Sequence, residues 1–336
     1  MENKLKICLI SFDNWSYDKE IIKALSKKNI IATHINIGAF KHKNTYERIS
    51  NTFSKIVLNT NPKVKKRQDF IINTLKSIGK QDQILVLNPD LIESECHLEI
   101  KNHTSRYIAY LYDSVARSIN PIEHLLHNFF DDIYSFDNFD VEKYGFKKIT
   151  NYNYLELENT IFSKKQFKIM TIASFDKRFP LLNEIANQVT ELGFEFQFIC
   201  ISKNISYKLL KYRLNCFKNK QKSNINSKIQ FQSTKIPLHQ LKKYYDNTEI
   251  ILDLVQGNQT GLSFRVFEAM ALQKKLITDN KAIRNYPFYN PNNILILDSK
   301  EIILNSDFFK TKYEPLTKEI YNEFTIANWI TQLFNL

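Results

Sequence analysis

Asp253-Leu254-Val255-Gln256-Gly257-Asn258-Gln259-Thr260-Gly261-Leu262-Ser263-Phe264-Arg265-Val266-Phe267-Glu268-Ala269-Met270-Ala271-Leu272 is the stretch on which the reading of this chain turns. The apolar run Ile250 to Leu254 that leads into it reads as a buried strand. A polar loop with Gly257 and Gly261 follows, and then a helix whose first turns carry Ser263, Arg265 and Glu268. Strand, glycine loop and helix N-terminus together favour an anion, because free backbone N–H groups and the positive end of the helix dipole point the same way. Gln256, Gly257, Gly261, Leu262 and Ser263 are the expected wrapping segment. Arg265 and Glu268, three apart, share a helix face. Arginine suits a phosphate and glutamate suits ribose hydroxyls, so the segment fits a nucleotide diphosphate. The plain alternative is an ordinary βα unit in which Arg265 and Glu268 pair at the surface.

Composition and charge set the frame. A chain of 336 residues with 43% hydrophobic content suits two domains of about 150 residues. No run approaches the roughly 18 apolar residues of a membrane span. The N-terminal apolar stretch Leu5 to Ser11 is too short for a signal sequence and reads as a first strand. Cys8, Cys96, Cys200 and Cys216 show no metal or CxxC spacing, which points to a reducing, cytoplasmic setting without disulfides. The net charge of +12 is clustered: Lys203 to Tyr245 holds eleven Lys/Arg and no Asp/Glu, and Lys41 to Lys80 holds ten against Glu47 and Asp69. Such clusters suit an anionic ligand or surface, whether nucleic acid, membrane face or phosphorylated acceptor; a merely solvated basic surface is the alternative. No nucleic-acid-binding module accompanies the charge, so no specific nucleic-acid partner is expected.

Strands and helices alternate along the chain. Strands are expected at Leu5–Phe12, Ile30–Ile37, Gln83–Asn88, Arg106–Tyr112 and Asp132–Phe136, with helices at Asp18–Lys28 and over about 44–79. The rhythm lapses over 150–167 and restarts. The second half shows strands at Phe167–Ala173, Glu195–Ile201, Ile229–Gln232, Ile250–Leu254, Leu276–Thr278 and Ile294–Leu297. Helices lie between them at Pro180–Leu192, Ser206 to about Lys220, Leu238–Tyr245 and Ser263–Leu272. This alternation predicts α/β architecture with parallel sheets. The expected domains are residues 1–150, a linker 151–167, residues 168–316, and a C-terminal amphipathic helix over 317–336.

The pattern Gly261-x6-Glu268-Ala269-Met270-Ala271, running into Lys275-Leu276-Ile277-Thr278, resembles the donor-binding segment of GT-B glycosyltransferases. The chain departs from the commonest form at two places: Thr260 stands where a glutamate is expected, and Gln273-Lys274-Lys275 stands where Gly-Lys-Pro is expected. The first departure bears on two-glutamate retaining chemistry. A second likeness supports the first. Arg106-Tyr107-Ile108-Ala109-Tyr110-Leu111-Tyr112-Asp113-Ser114 and Asp131-Asp132-Ile133-Tyr134-Ser135-Phe136-Asp137-Asn138-Phe139-Asp140-Val141-Glu142-Lys143-Tyr144-Gly145 are similar to strand ends of bacterial glycosyltransferases of capsule and lipopolysaccharide biosynthesis. The resemblance implies two Rossmann-like domains facing a cleft, the first taking the acceptor and the second a nucleotide-sugar donor, with the last helix crossing back to the first. It implies transfer of a sugar to a surface polysaccharide or lipid-linked oligosaccharide, by a cytoplasmic protein that also sits peripherally on the inner face of the plasma membrane. No cofactor beyond the donor co-substrate is expected.

Ligands of open parallel sheets lie beyond the carboxyl ends of the strands. That rule nominates Asp13, Asn14, Trp15, Asn88, Asp90, Asp113, Ser114 and Asp137 in the first half. In the second it nominates Ser174, Lys177, Arg178, Ser202, Lys203 and the 256–265 segment. No Asp-x-Asp occurs, so a metal-independent design is expected, with Arg178, Arg265 and Lys177 on the diphosphate. Asp13 is the first choice for a catalytic base and Asp113 the second. Their structural alternatives are an Asx-turn for Asp13 and an ion pair with Arg117 for Asp113. The histidines, His124 and His127 included, show no ligand spacing. Two rival readings stand beside transfer: a GT-B-type nucleotide-sugar epimerase, and a nonenzymatic binder of nucleic acid or polysaccharide.

Overall fold

A computed structural model describes residues 4–13, 16–39, 62–87, 89–118, 122, 128–155, 165–220, 224–257, 259–298 and 302–336. Asn14, Trp15, His42, Asn88, His124, His127, Asn258, the 44–61 part of the long helical region and most of the 151–167 segment lie outside the described residues. The chain forms two compact units, residues 1–150 with 326–336, and residues 151–325.

Unit 1 is a six-stranded sheet in the order β2-β1-β3-β4-β5-β6. Its strands are β1 (Lys6–Ser11), β2 (Ile31–Asn36), β3 (Gln81–Val86), β4 (Thr104–Leu111), β5 (Asp132–Ser135) and β6 (Lys147–Lys148). All pair in parallel, with Leu9 opposite both His34 and Leu85. Helices α1 (Tyr17–Lys27), α2 (Pro62–Ile78), α3 (Ser94–Asn102) and α4 (Asn138–Tyr144) cross between them. Successive β1 side chains point to opposite faces, yet Ile7, Cys8, Leu9 and Ile10 are all fully buried. A sheet covered on both faces requires such continuous apolar strands.

Unit 2 repeats the plan in the order β12-β11-β10-β7-β8-β9, again all parallel. Its strands are β7 (Phe167–Ser174), β8 (Phe196–Ile201), β9 (Gln230–Gln232), β10 (Thr248–Asp253), β11 (Lys275–Thr278) and β12 (Ile294–Ile296). Its helices are α5 (Phe179–Glu191), α6 (Ile205–Lys218), α7 (Leu238–Asp246), α8 (Phe264–Ala271), α9 (Ser306–Lys310) and α10 (Lys318–Glu323). Ile250 and Leu252 join one core cluster while Ile251 joins the other, so β10 separates two apolar layers.

The 317–336 segment, expected as one helix, is two. It breaks at Phe324-Thr325, where the Phe324 carbonyl accepts the Asn153 N–H at 2.7 Å and Thr325 bridges Asn153. Asn151, Tyr152 and Asn153 are buried in unit 2 rather than forming an exposed tether. After the break, α11 (Ile326–Phe334) packs on unit 1 against α1. Trp329 is 3% exposed, donates from Nε1 to the Thr150 carbonyl at 3.0 Å, and sets its ring edge-on to Tyr110. Gln83 and Arg106 donate to the Phe334 and Leu333 carbonyls, closing the helix C-terminus. Trp329→Ala should therefore lower the urea-unfolding stability of unit 1 by about 3–5 kcal/mol, seen as a leftward midpoint; an unmoved midpoint would mean α11 contributes nothing to that unit.

Candidate functional site

The strand order of unit 2 reverses between β7 and β10, since β8 and β9 extend one way and β11 and β12 the other. Ligands of open α/β sheets gather at the carboxyl end of such a reversal. Two arginines straddle it. Arg265 pairs with Asp253 at the end of β10 (2.7 Å) and donates to the Ile172 carbonyl in β7 (2.9 Å). Arg178, on the loop after β7, holds Asp176 with Nε and Nη2 and donates to the Leu254 carbonyl at 2.8 Å. Its planar fork is thereby fixed, while two of its five N–H donors remain unspent by these bonds. The two guanidiniums thus tie the same two strand ends together from opposite sequence directions.

The glycine loop lies beside them. Gly257 adopts φ +71°, in the left-handed region, and a side chain there would meet open space. Gln256 is half-buried, and Gly261 and Leu262 are buried, their carbonyls taken by Asn280 and Asn151. Ser263 caps α8 by accepting the Arg265 N–H at 3.2 Å. Ser174, the last residue of β7, and Lys177, on the loop after it, are exposed. Asp279 accepts the Val255 N–H at 2.7 Å, and burial pushes its carboxyl up.

Glu268 is buried, unlike the surface residue of the plain alternative. It is 2% exposed, and its two oxygens accept from Tyr154 and Tyr245, each at 2.5 Å. Neither tyrosine was nominated from the sequence, because Tyr154 lies 114 positions away and no spacing rule connects them. Helix α8 then ends in a Schellman cap: the Lys274 N–H bonds the Ala269 carbonyl and the Gln273 N–H the Met270 carbonyl. Gln273 sits at φ 50°, a conformation natural to glycine. It occupies the place where the resembling family carries glycine, so the departure is one of side chain and not of backbone.

In unit 1 the order reverses between β1 and β3, and Asp13 follows β1. Asp13 adopts φ 42°, and its Oδ1 is buried without a hydrogen-bond partner. The turn is tightly seated, since a Cβ on Gly38 would stand 2.0 Å from the Phe12 carbonyl oxygen. Behind it lies a cluster that the sequence did not reveal. The Ser11 hydroxyl donates to Asp18 and lies 2.8 Å from His34 Nε2, while Tyr112 donates to Asp18 at 3.1 Å. Burial, with Asp13 adding repulsion, pushes the Asp18 carboxyl up to about 6 against the hydrogen bonds that lower it. Burial pushes His34 down. Asp113 is exposed and paired with Arg117 at 2.8 Å, its structural alternative. Asp137 caps α4, and Asp140 accepts from the Val115 N–H and the Ser135 hydroxyl. That motif therefore builds the end of β5.

No family profile and no curated protein matches the chain. Solved structures do. An α-glucosyltransferase bound to UDP and DNA is 12% identical, with 99% of each chain covered and a TM-score of 0.62. The lipopolysaccharide outer core galactosyltransferase WaaB is 10% identical over 98% of this chain and 99% of its own, TM-score 0.53. The UDP-GlcNAc 2-epimerase of Methanocaldococcus jannaschii is 14% identical over 99% of each, TM-score 0.50. At these identities the likeness establishes the fold, GT-B-like α/β with two six-stranded parallel sheets, which glycosyltransferases and nucleotide-sugar epimerases share.

Two measurements probe this geometry. A carboxyl raised from 3.8 to about 6 by folding adds stability that is complete below its unfolded pKa and is lost as pH rises through 6, on the order of 3 kcal/mol in all. His34, shifted the opposite way for a base, gains stability with rising pH. The difference between wild type and Asp18→Asn should thus fall to the variant's advantage between about pH 4 and 7; parallel profiles would place the ionisation elsewhere. Second, Gln273→Gly should stabilise unit 2 by about 0.5–1 kcal/mol in chemical denaturation, and a loss would show that the glutamine side chain outweighs its backbone cost.

Proposed function

We propose that this protein is a glycosyltransferase that moves a sugar from a nucleotide-sugar donor to a surface-polysaccharide or lipid-linked oligosaccharide acceptor on the cytoplasmic side of a membrane. The observation that carries the reading is the pair of guanidiniums, Arg178 and Arg265, fixed across the β7–β10 reversal beside a glycine loop and a helix N-terminus. Pre-oriented cations stabilise the charge that develops on a departing diphosphate. Lys177, Ser174, Gln256, Gly257, Gly261, Leu262 and Ser263 are assigned to the same phosphates. Glu268 is assigned to ribose hydroxyls, as the resemblance implies, with Tyr154 and Tyr245 holding its carboxylate. Unit 2 is then the donor unit and unit 1 the acceptor unit.

In the reaction, an acceptor hydroxyl oxygen bonds to the anomeric carbon, the carbon–oxygen bond to the diphosphate breaks, and the hydroxyl proton passes to a base. Asp13 is assigned that role, supported by its unpartnered Oδ1 at the β1–β3 reversal; Asp113 is the second candidate. A nucleotide-sugar epimerase is the rival from the same fold, since it would use the same donor edge.

A thermal-shift panel of UDP, GDP, CMP and TDP should find one nucleotide that raises the melting temperature of wild type. Arg178→Ala should weaken that nucleotide at least tenfold and leave the unliganded protein folded. The same nucleotide-sugar should persist without acceptor and be consumed with one. Isomerisation of the donor alone would favour the epimerase, and silence from every nucleotide at millimolar concentration would overturn the donor site.

A further inference from the structure

Helix α6 carries two apolar faces. At about 100° per residue, Ile205, Leu209, Tyr212 and Cys216 fall on one side, and these are the residues packed on or buried against the core of unit 2. Tyr207, Leu210, Leu214 and Phe217 centre about 150° further round, and they are 66%, 57%, 52% and 83% exposed. Spacings of three, four and three make them one continuous stripe along the outer face. A soluble helix normally puts charge there.

The charge instead flanks the stripe. Lys211 and Lys218 border it on one side and Arg213 on the other, all three exposed. No Asp or Glu occurs between Glu195 and Asp246, so the helix and its surroundings present cations alone. Among the described residues no carboxylate pairs with these three. An apolar stripe between rows of Lys and Arg is the pattern of a helix lying in the plane of a bilayer, with its side chains in the acyl boundary and its cations among anionic headgroups. Leucines at the centre of the stripe suit acyl chains; a nucleic-acid groove would offer them no partner. Lys208 points the other way, donating to the Phe175 carbonyl at 3.0 Å, so the helix is tethered to the loop that carries Lys177 and Arg178.

We infer that the outer face of α6 is a membrane-docking surface that seats unit 2 on an anionic lipid bilayer. This inference stands on exposure and charge, independently of the donor site. The test is vesicle co-sedimentation of the full chain with phosphatidylcholine alone and with about one-third phosphatidylglycerol. Wild type should pellet with the anionic vesicles only, and raised salt should release it. Leu214→Ser with Phe217→Ser, and separately Lys211→Glu with Arg213→Glu and Lys218→Glu, should each weaken partitioning at least tenfold while melting temperature and nucleotide shift stay unchanged. Phe217→Trp should be quenched by brominated acyl chains, which a helix merely near the headgroups would not allow. Wild-type binding untouched by either set would overturn the inference. So would duplex DNA or RNA bound in place of vesicles, or self-association abolished by the Leu214 and Phe217 changes.

Discussion

Parallel pairing is the constraint from which the rest of this molecule follows. Every strand contact in both sheets is parallel. Each connection must therefore cross over the sheet, and both faces become covered. All carboxyl ends then emerge along one edge, and the only interruption of that edge is where the winding changes direction. Asp253 ends β10 there, 2% exposed. A buried carboxylate needs a partner, and Arg265 supplies it from the first turn of the next helix. The same ion pair thus satisfies the strand end and aims a cation along the edge.

The fold was largely legible because each buried strand is an apolar run bounded by polar turns. Strands nominated at Phe167–Ala173, Glu195–Ile201 and Ile250–Leu254 coincide with β7, β8 and β10 to within about two residues. Helix α3 was not expected: Ser94–Asn102 mixes Cys96, His97 and Ile100 with charge, and its burial depends on the neighbouring sheet. The arginines of the donor edge were legible from their place beside strand ends. Their partners were not, since Leu254 and Ile172 contribute backbone carbonyls that no residue type announces. The Asp18 cluster was hidden for a related reason. Register sets His34 of β2 opposite Leu9 of β1, two residues before Ser11 on the same face, and α1 folds back to deliver Asp18.

The departures from the expected motif separate side-chain chemistry from backbone geometry. Gln273 adopts the left-handed turn that glycine would adopt, and the following strand starts on time. Lys275 then turns inward, its ammonium held by the Thr311 carbonyl and hydroxyl and lying over the Phe308 ring. Desolvation lowers it to about 8. Where the resembling pattern places a proline, this chain has a buried cation that ties β11 to α9. Likewise Ser135, Asp137 and Asp140, whose order resembles an enzyme signature, are engaged in capping α4 and holding the Val115 turn.

The return of α11 to unit 1 has a consequence in time. Unit 2 is one unbroken stretch, 151–325, whereas unit 1 takes its last helix from 326–336. On a ribosome, the sheet of unit 1 is made first, but Gln83, Arg106 and Tyr110 wait for partners that are translated after all of unit 2. The contiguous second unit can close on its own schedule, while the first is completed only after residues 326–336 have been made. A nascent chain stalled anywhere before Trp329 would display the α1 side of unit 1 unsealed, a surface for chaperones to hold until the last helix arrives.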